Sequence, residues 1–246
     1  MTAKKHALLS ASCAHRWLNC TPSARIEANL QQSTSFYAQE GTAAHELAEL
    51  VAKYWLNKIS EIEYEAKLAS FQKNNQYYTD EMLHCCIEYA RFIYNEAKKL
   101  HAQIVELEVE NLDFSNYAPG GFGTGDCIIV ANTVLEIIDF KYGKGYKVSG
   151  QNNEQMRLYA LGALNRYAAE YSIEKINMII FQPRINKEPS TETLDIAALL
   201  DWGENYVKPR AQLAYAGLGE FAPSEDVCKF CKAQQNCPAK IINSFD

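Results

Sequence analysis

The stretch of residues 123–141 constrains the fold and the function of this chain more than any other segment. Two short apolar runs, residues 128–130 and 134–138, lie on either side of a turn at Asn132. Runs of this length beside a turn residue are typical of buried strands. We therefore predict two neighbouring strands. Three charged residues interrupt their apolar pattern: Asp126, Asp139 and Lys141.

These three charges are predicted to share one patch of the strand pair. Side chains two apart on a strand point the same way, so Asp139 and Lys141 do. Asp126, near the end of the neighbouring strand, can face them. Burying such charges is unfavourable unless a cation or a substrate uses them. A structural ion pair would account for one aspartate and the lysine but not for the second aspartate. These residues alone are compatible with a catalytic metal site and with a buried ion pair.

The composition is that of an ordinary soluble globular protein. The chain has 246 residues, 48% of them hydrophobic and 22% charged, which is enough for one large domain or two small ones. No apolar run approaches the ~18 residues of a membrane span. The N-terminal residues lack the long apolar core of a signal peptide, so we expect a cytoplasmic protein. The formal net charge of −6 argues mildly against nucleic acid as a partner, although a local basic strip is sufficient for binding.

The order of the predicted elements favours an α/β fold. Residues 6–30 have the pattern of a helix followed by a loop, and amphipathic helices are predicted over 42–58, with Thr42 as N-cap, and over 79–101. The other predicted elements are strands at 103–112, 175–182 and 191–195 and helices at 149–170 and 196–216. This order indicates a mixed central sheet flanked by helices, with a helical arch built from about the first 100 residues.

Three further residues are candidates for a site shared with the charged trio. His45 lies on the first amphipathic helix, and Gln155 and Tyr159, four residues apart, share one face of a later helix. Two aspartates, one backbone carbonyl and waters would satisfy Mg²⁺, and an added imidazole shifts the preference toward Mn²⁺ or another transition ion. Gln155 and Tyr159 could hold a phosphate or a water by hydrogen bonds. Each of the three is also compatible with an ordinary polar position on a helix.

Cysteines in the tail have the spacing of a thiolate site: Cys228-x₂-Cys231-x₅-Cys237. Disulfides are not expected in a reducing compartment. A tetrahedral centre needs a fourth ligand, for which Cys20 and Cys13 are candidates. The remaining cysteines have the positions of core residues: Cys85, Cys86 and Cys127. Zinc and an iron–sulfur cluster both accept four thiolates, and either would tie the two ends of the chain together in a structural role.

A basic loop, residues 141–147, follows the strand pair. Its lysines alternate with Tyr142 and Tyr146, and aromatic residues beside cations suit single-stranded nucleic acid. The candidate DNA contacts are Lys144, Lys147 and Arg157, with Arg184 and Lys187 as further basic residues. The alternative interpretation is a solvated charged loop.

Four short motifs in this order resemble the RecB-like branch of the PD-(D/E)XK nuclease superfamily: GTAAHE (41–46), GTGD (123–126), IIDFK (137–141) and Gln155-x₃-Tyr159. One early cysteine with a late C-x₂-C-x₅-C is similar to the iron–sulfur subgroup of that branch. This subgroup includes AddB-type nuclease domains and CRISPR-associated RecB-like exonucleases. The pattern also resembles phage and prophage proteins, and it covers nearly the whole chain, from Cys20 to Cys237.

The resemblance implies a restriction-endonuclease-like core and a role for each matching residue. The metal ligands would be His45, Asp126, Asp139 and the backbone carbonyl of Phe140. Lys141 would be the catalytic lysine, supported by Gln155 and Tyr159 on the substrate side. A 4Fe–4S cluster would be held by Cys20, Cys228, Cys231 and Cys237. Many members of the family have glutamate where this chain has Asp139. Glu108, in the predicted strand 103–112, could face the same cleft but matches none of the motifs.

The implied function is that of a metal-dependent DNA exonuclease, acting on single-stranded ends in phage or bacterial DNA recombination, repair or processing. Metal-activated water would attack a phosphodiester. One alternative is a nuclease-fold accessory protein in a recombination complex with little cleavage of its own, and another is a zinc-stapled protein with no nuclease role. We divide the chain into an N-terminal helical region, a nuclease core and a cysteine tail, expected to form one compact unit: 1–102, 103–222 and 223–246.

Overall fold

Segments rich in apolar and β-branched residues form one central sheet of five strands. The computed structural model describes residues 7–30, 35–186 and 188–239, so Lys187 lies outside the described residues. The strands are β1 (Ile104–Asp113), β2 (Phe122–Ala131), β3 (Val134–Phe140), β4 (Lys175–Phe181) and β5 (Ser190–Asp195). They are adjacent in chain order, and every neighbouring pair is antiparallel except β3 and β4. The predicted mixed sheet is confirmed.

Helices flank the sheet on both sides. They are α1 (Ala14–Asn19), α2 (Ser23–Ala28), α3 (Phe36–Trp55), α4 (Glu61–Asn74), α5 (Asp80–Lys99), α6 (Glu154–Tyr167), α7 (Ile196–Trp202), α8 (Lys208–Ala216) and α9 (Glu225–Cys228). Within the described ranges, no helix has both the length and the apolar character that a membrane crossing requires.

The three central strands, β2, β3 and β4, are mostly buried on both sides, and the alternation along β2 separates the two cores. Cys127 and Ile129 pack with residues of α3 and α5, whereas Ile128 and Val130 pack with residues of α6. Burial on both faces explains why this strand is a continuous apolar run rather than an alternating one. Helix α6 also provides the crossover that the parallel pair β3–β4 requires.

Helices from the first part of the chain lie on both faces of the sheet. Side chains of α3, α4 and α5 pack on the face of Cys127, whereas α1 and α2 contact α8 on the face covered by α6. A 2.7 Å hydrogen bond from the Thr21 hydroxyl to the Leu218 carbonyl connects the turn between α1 and α2 to the residues that follow α8. The predicted helical arch is therefore limited to α3–α5. The division of the chain into three regions stays a prediction.

Helix α3 begins at Phe36, six residues before the predicted start at residue 42. Ser35 is its N-cap, because the Ser35 hydroxyl accepts a 3.2 Å hydrogen bond from the backbone N–H of Ala38. Thr42 lies inside the helix, where its hydroxyl donates to the Ala38 carbonyl. Gly41 weakens the helical signal of this first turn and a half, which explains the late prediction.

Two other helical predictions differ from the structure for physical reasons. Helix α4 has no predicted counterpart, since Phe71 is its only buried side chain and the apolar periodicity is correspondingly weak. The single helix predicted over 196–216 is divided by a π-helical turn, Gly203–Val207, between α7 and α8. Pro209, in the first turn of α8, has no backbone N–H and cannot continue a regular helical ladder.

Gly162 is predicted to be required for the close packing of α6 on β1. A Cβ atom at this position would lie 2.7 Å from the carbonyl carbon of Leu112, which is backbone and cannot rotate away. We expect Gly162→Ala to lower the free energy of unfolding by about 1–3 kcal/mol, although alanine is the better helix former by about 1 kcal/mol. Chemical denaturation measures this change.

The matched control is Gly41→Ala. A Cβ atom there meets no heavy atom within 4 Å, and Gly41 is also inside a helix. This variant should gain about 0.5–1 kcal/mol from propensity alone. Equal stabilisation by both substitutions would contradict the close contact between α6 and β1.

Candidate active site

Three carboxylates form a row across neighbouring strands. The antiparallel register pairs Leu107 with Cys127 and Val109 with Gly125, so Glu108 and Asp126 are opposite each other between these pairs. The next register pairs Cys127 with Ile138, which places the residue before Cys127 opposite the residue after Ile138. The row is therefore Glu108 on β1, Asp126 on β2 and Asp139 on β3. Like charges directly opposite each other on a sheet are destabilising unless positive charge compensates them.

The ammonium group of Lys141 compensates one side of the row. Its Nζ lies 2.8 Å from Oδ2 of Asp139 and donates a 3.2 Å hydrogen bond to Oε1 of Gln155. Gln155 Nε2 in turn donates to Asp139 Oδ1 at 3.2 Å and to the hydroxyl of Tyr159 at 3.1 Å. The amide of Gln155 thus fixes the carboxylate, the ammonium and the phenol in one network.

The imidazole of His45 compensates the other side. His45 belongs to α3, which packs on the face of the sheet opposite to α6. Its Nδ1 lies 3.2 Å from Oδ1 of Asp126. The His45 ring meets the ring of Phe140 edge to face, with centroids 5.6 Å apart. The second oxygen of Asp126 accepts a 2.7 Å hydrogen bond from the backbone N–H of Phe140. The proposed metal ligation by the Phe140 carbonyl stays a prediction.

Burial and the neighbouring charges set the protonation of these groups. Burial opposes a charged His45, but the Asp126 carboxylate outweighs it and raises the pKa of His45 to about 9. Burial alone would raise the pKa of Asp126, yet the imidazolium and Lys141 bring it below its usual value. Burial raises the pKa of Asp139 despite Lys141, and Asp139 in turn raises the pKa of Lys141 against the effect of burial.

Glu108 is a site residue that the motifs do not identify. The strand β1 is irregular between Val109 and Leu112, and Glu108 and Asn111 have positive φ angles of 48° and 57°. Glu106, two residues earlier, instead accepts a 2.8 Å hydrogen bond from the hydroxyl of Tyr167. The register of β1 against β2 is the signal that assigns Glu108 to the row, and strand pattern alone does not supply it.

The donor atoms at the centre of this row could hold a metal ion. One atom each of His45, Glu108 and Asp126 lie within 4.8 Å of one another. Two ligands on opposite sides of an ion such as Mg²⁺ are at most about 4.2 Å apart, so small side-chain rotations bring these atoms to coordinating distance. Carboxylate oxygens with one imidazole suit Mg²⁺ or Mn²⁺, and the residues present therefore fit the expected metal.

A large cavity opens beside Lys141 and His45, with a volume of about 730 Å³. Its walls come from the start of α3, the loop after β3 and the C-terminal tail, and its basic lining residues are Lys141, Lys144 and Arg184. A second cavity, of about 450 Å³, lies on the other side of the row. The charged residues that line this second cavity are acidic: Glu108, Glu110 and Asp126. The acidic Glu40 also lines the large cavity, so among the described residues the two cavities differ in that only the first has basic residues in its lining.

The structure distributes the candidate DNA contacts unevenly. Lys144 is exposed and lines the large cavity, whereas Lys147 is exposed on a different surface. The guanidinium of Arg157 makes two hydrogen bonds to the buried Glu192, of 2.9 and 2.7 Å, and its role as a DNA contact stays a prediction. Arg184 pairs with Glu81 at 2.8 Å and lies over the ring of Tyr142.

Four cysteines line one small cavity between α1, α2 and the tail: Cys20, Cys228, Cys231 and Cys237. Cys13 does not line this cavity, which leaves Cys20 as the N-terminal thiol at this place. Cys85, Cys86 and Cys127 are buried in the core around α5, as the sequence predicts. Burial raises the pKa of the Cys85 thiol to about 11.

Solved structures similar to this chain have low identities and low TM-scores. A candidate exonuclease from Eubacterium rectale gives a TM-score of 0.45 at 12% identity, over 93% of this chain and 87% of that chain. LHK-Exo in complex with dAMP gives 0.34 at 14% identity, over 70% and 91% of the two chains. The protein SSO0001 gives 0.34 at 15% identity, over 92% and 96%.

The match to a protein family is more extensive. The family described as "Protein of unknown function (DUF2800)" matches residues 6–246, which is nearly the whole chain. The row of carboxylates, His45, Lys141 and the four cysteines all lie within the matched residues. The chain therefore belongs to the DUF2800 family.

Proposed function

We propose that this protein is a metal-dependent nuclease of the PD-(D/E)XK type that hydrolyses phosphodiester bonds of DNA, as an exonuclease on single-stranded ends. The observation that carries the proposal is the row of Glu108, Asp126 and Asp139 beside a lysine at the wall of a large basic cavity. Neighbouring carboxylate oxygens with an imidazole favour a divalent cation, and a cation beside a lysine favours a phosphate.

The metal would be Mg²⁺ or Mn²⁺, held by His45, Asp126 and Asp139, with the Phe140 carbonyl and with Glu108 as an added ligand. A divalent ion at this place makes water more acidic and stabilises negative charge on a phosphate. The backbone N–H of Phe140 fixes one oxygen of Asp126 and leaves the other directed toward His45. Two donors of the set are thus oriented before an ion binds.

Lys141 would bind a phosphate oxygen and hold the attacking water. Its side chain is 26% exposed and lines the large cavity, whereas that of Asp139 is only 4% exposed, so the ammonium is the group that a substrate meets. The raised pKa keeps Lys141 charged at neutral pH. Gln155 fixes the position of the Lys141 ammonium group. Burial raises the pKa of Tyr159, so its phenol stays neutral and acts as a hydrogen-bonding group.

The size and lining of the large cavity support a single strand as the substrate. A volume of about 730 Å³ is that of a site for a small molecule, which accommodates nucleotides of one strand but not a duplex. Its basic residues favour a phosphate chain.

Cleavage of end-labelled single-stranded DNA tests the proposal. The purified protein should shorten the strand with Mg²⁺ or Mn²⁺ and not with chelator. Lys141→Ala and Asp126→Ala should each reduce the rate by roughly 10²–10⁴-fold, because each removes a charge that acts on the reacting phosphate. Denaturation midpoints of both variants establish that the fold is retained.

The matched control is Lys67→Ala. Lys67 is an exposed lysine whose Nζ lies 2.7 Å from a carboxylate of Glu63, but it lies on α4 away from the row. Its rate should equal that of the wild type. Full activity of Lys141→Ala would overturn the assignment, and a wild type that binds DNA without cleaving it would favour the accessory-protein alternative.

Metal binding is predicted to depend on pH through His45. Since its pKa is raised to about 9, the imidazolium must lose its proton to bind an ion, and below that pH protons compete with the metal. The apparent affinity for Mn²⁺ should therefore rise by up to about tenfold per pH unit between about pH 6.5 and 8.5. Calorimetry in buffers of different ionisation enthalpy measures the released proton.

Two histidine variants complete this test. His45→Gln should bind Mn²⁺ more weakly at high pH and lose most of the pH dependence. His84→Gln, in an exposed histidine on α5, should behave as the wild type. Unchanged proton release by His45→Gln would contradict metal ligation by His45.

We also propose that the four cysteines of the small cavity hold a structural 4Fe–4S cluster, with zinc as the alternative. Thiols from α1–α2 and from the tail line the same cavity, which supports a shared centre. Four thiolate donors suit both groups. Such a centre would join segments more than two hundred residues apart.

The metal content distinguishes these alternatives. Protein purified without oxygen should be brown, contain iron, and lose both colour and thermal stability in Cys231→Ser. Cys85→Ser, which changes a cysteine of the core, should keep the iron. A colourless wild type with one zinc per chain would replace the cluster by zinc, and protein with neither metal would contradict the centre.

A further inference from the structure

We propose that Tyr146 and Phe230 form a stacking site for an unpaired base of the strand whose phosphate lies at Lys141. The inference rests on the proposed nuclease function and specifies how that site holds its substrate. It joins a residue of the basic loop to a residue of the cysteine tail, which no sequence motif connects.

The two rings lie side by side and are open to solvent. Their centroids are 5.4 Å apart with an angle of 36° between the planes, and the residues are 47% and 58% exposed. Rings of this size usually bury most of their surface, because each contributes a large apolar area. A pair that stays exposed marks a surface where apolar contact with a ligand remains to be made.

The position of the pair relates it to the candidate active site. Tyr146 and Phe230 line the same large cavity as His45 and Lys141. Tyr146 follows Lys141 by five residues in one loop, and Tyr142, the other aromatic residue of that loop, is buried and therefore unavailable. A strand bound with one phosphate at Lys141 therefore has a neighbouring base within the walls that carry the two rings.

Positive charge accompanies the rings. Nζ of Lys229 lies 4.2 Å from the centroid of Tyr146 and 5.9 Å from that of Phe230. Lys144, from the same loop as Tyr146, also lines the cavity. Aromatic faces beside cations bind single strands by stacking the bases and attracting the phosphates. The chemistry therefore fits a nucleotide chain better than an uncharged apolar ligand.

The structure of the cysteine tail accounts for the position of Phe230 at the wall of the large cavity. Phe230 lies between Cys228 and Cys231, and the backbone N–H of Cys231 donates a 3.1 Å hydrogen bond to the Cys228 carbonyl. This turn directs the thiols to their cavity and leaves Phe230 on the side of the basic loop. In the loop, a Cβ atom at Gly143 or Gly145 would meet no heavy atom within 4 Å, so the loop has space to adjust to a base.

Binding of a fluorescent single-stranded oligonucleotide, followed by anisotropy in chelator to prevent cleavage, tests the inference. Base stacking on an aromatic residue is worth about 1–3 kcal/mol, so Phe230→Ala and Tyr146→Ala should each weaken binding by at least about fivefold. Phe230→Leu keeps apolar volume without a ring and should lose most of the same affinity. Tyr215→Ala is the control, because Tyr215 is an equally exposed ring beside Arg25 but lies on α8 outside the cavity.

A second oligonucleotide, of equal length but without bases, separates stacking from a structural effect. Wild type should bind it more weakly, and Phe230→Ala should cause no further loss, since there is no base to stack. An equal loss on both oligonucleotides, or no loss on either, would overturn the inference. Failure of the nuclease function would give a different result. The wild type would leave the DNA intact in the cleavage assay, whereas its binding of the oligonucleotide would be unchanged.

Discussion

The crowding of negative charge in the row of Glu108, Asp126 and Asp139 is the constraint on which the site depends. Strand register fixes the backbone positions of the three carboxylates, so they cannot separate without disrupting the sheet. In the described part of the chain, Lys141 lies 2.8 Å from Asp139 and His45 lies 3.2 Å from Asp126. Lys141 follows the end of β3, whereas His45 belongs to α3. In the proposed function, a divalent ion held at this row would make a bound water more acidic and stabilise negative charge on a phosphate.

The fold gives the two sides of the row different properties. On one side the end of β3 continues into a basic, aromatic loop that lines the larger cavity with the start of α3 and the tail. On the other side the irregular end of β1 contributes acidic residues to a smaller cavity. The two walls differ in composition because different strands and loops supply them, although the net charge of the chain is −6.

Sequence patterns predict the elements that have strong local signals. The buried strands β2 and β3 and the common face of Asp139 and Lys141 follow from periodicity, and the turn at Asn132 follows from its residue type, whereas its positive φ of 49° is known only from the structure. Glu108 depends on the register between β1 and β2, which a single strand does not encode. The neutralisation of Arg157 by Glu192 and the contact of Phe230 with Tyr146 join residues far apart in sequence. No local pattern contains such contacts.

The central claim is that the carboxylate row binds a divalent metal ion. Crystals grown with Mn²⁺ test it most directly, because anomalous scattering locates manganese without reference to activity. We predict one strong peak enclosed by Glu108, Asp126, Asp139 and His45, which disappears in Asp126→Ala. A map with manganese only at other places, or with none at the row in the presence of saturating metal, would contradict the account.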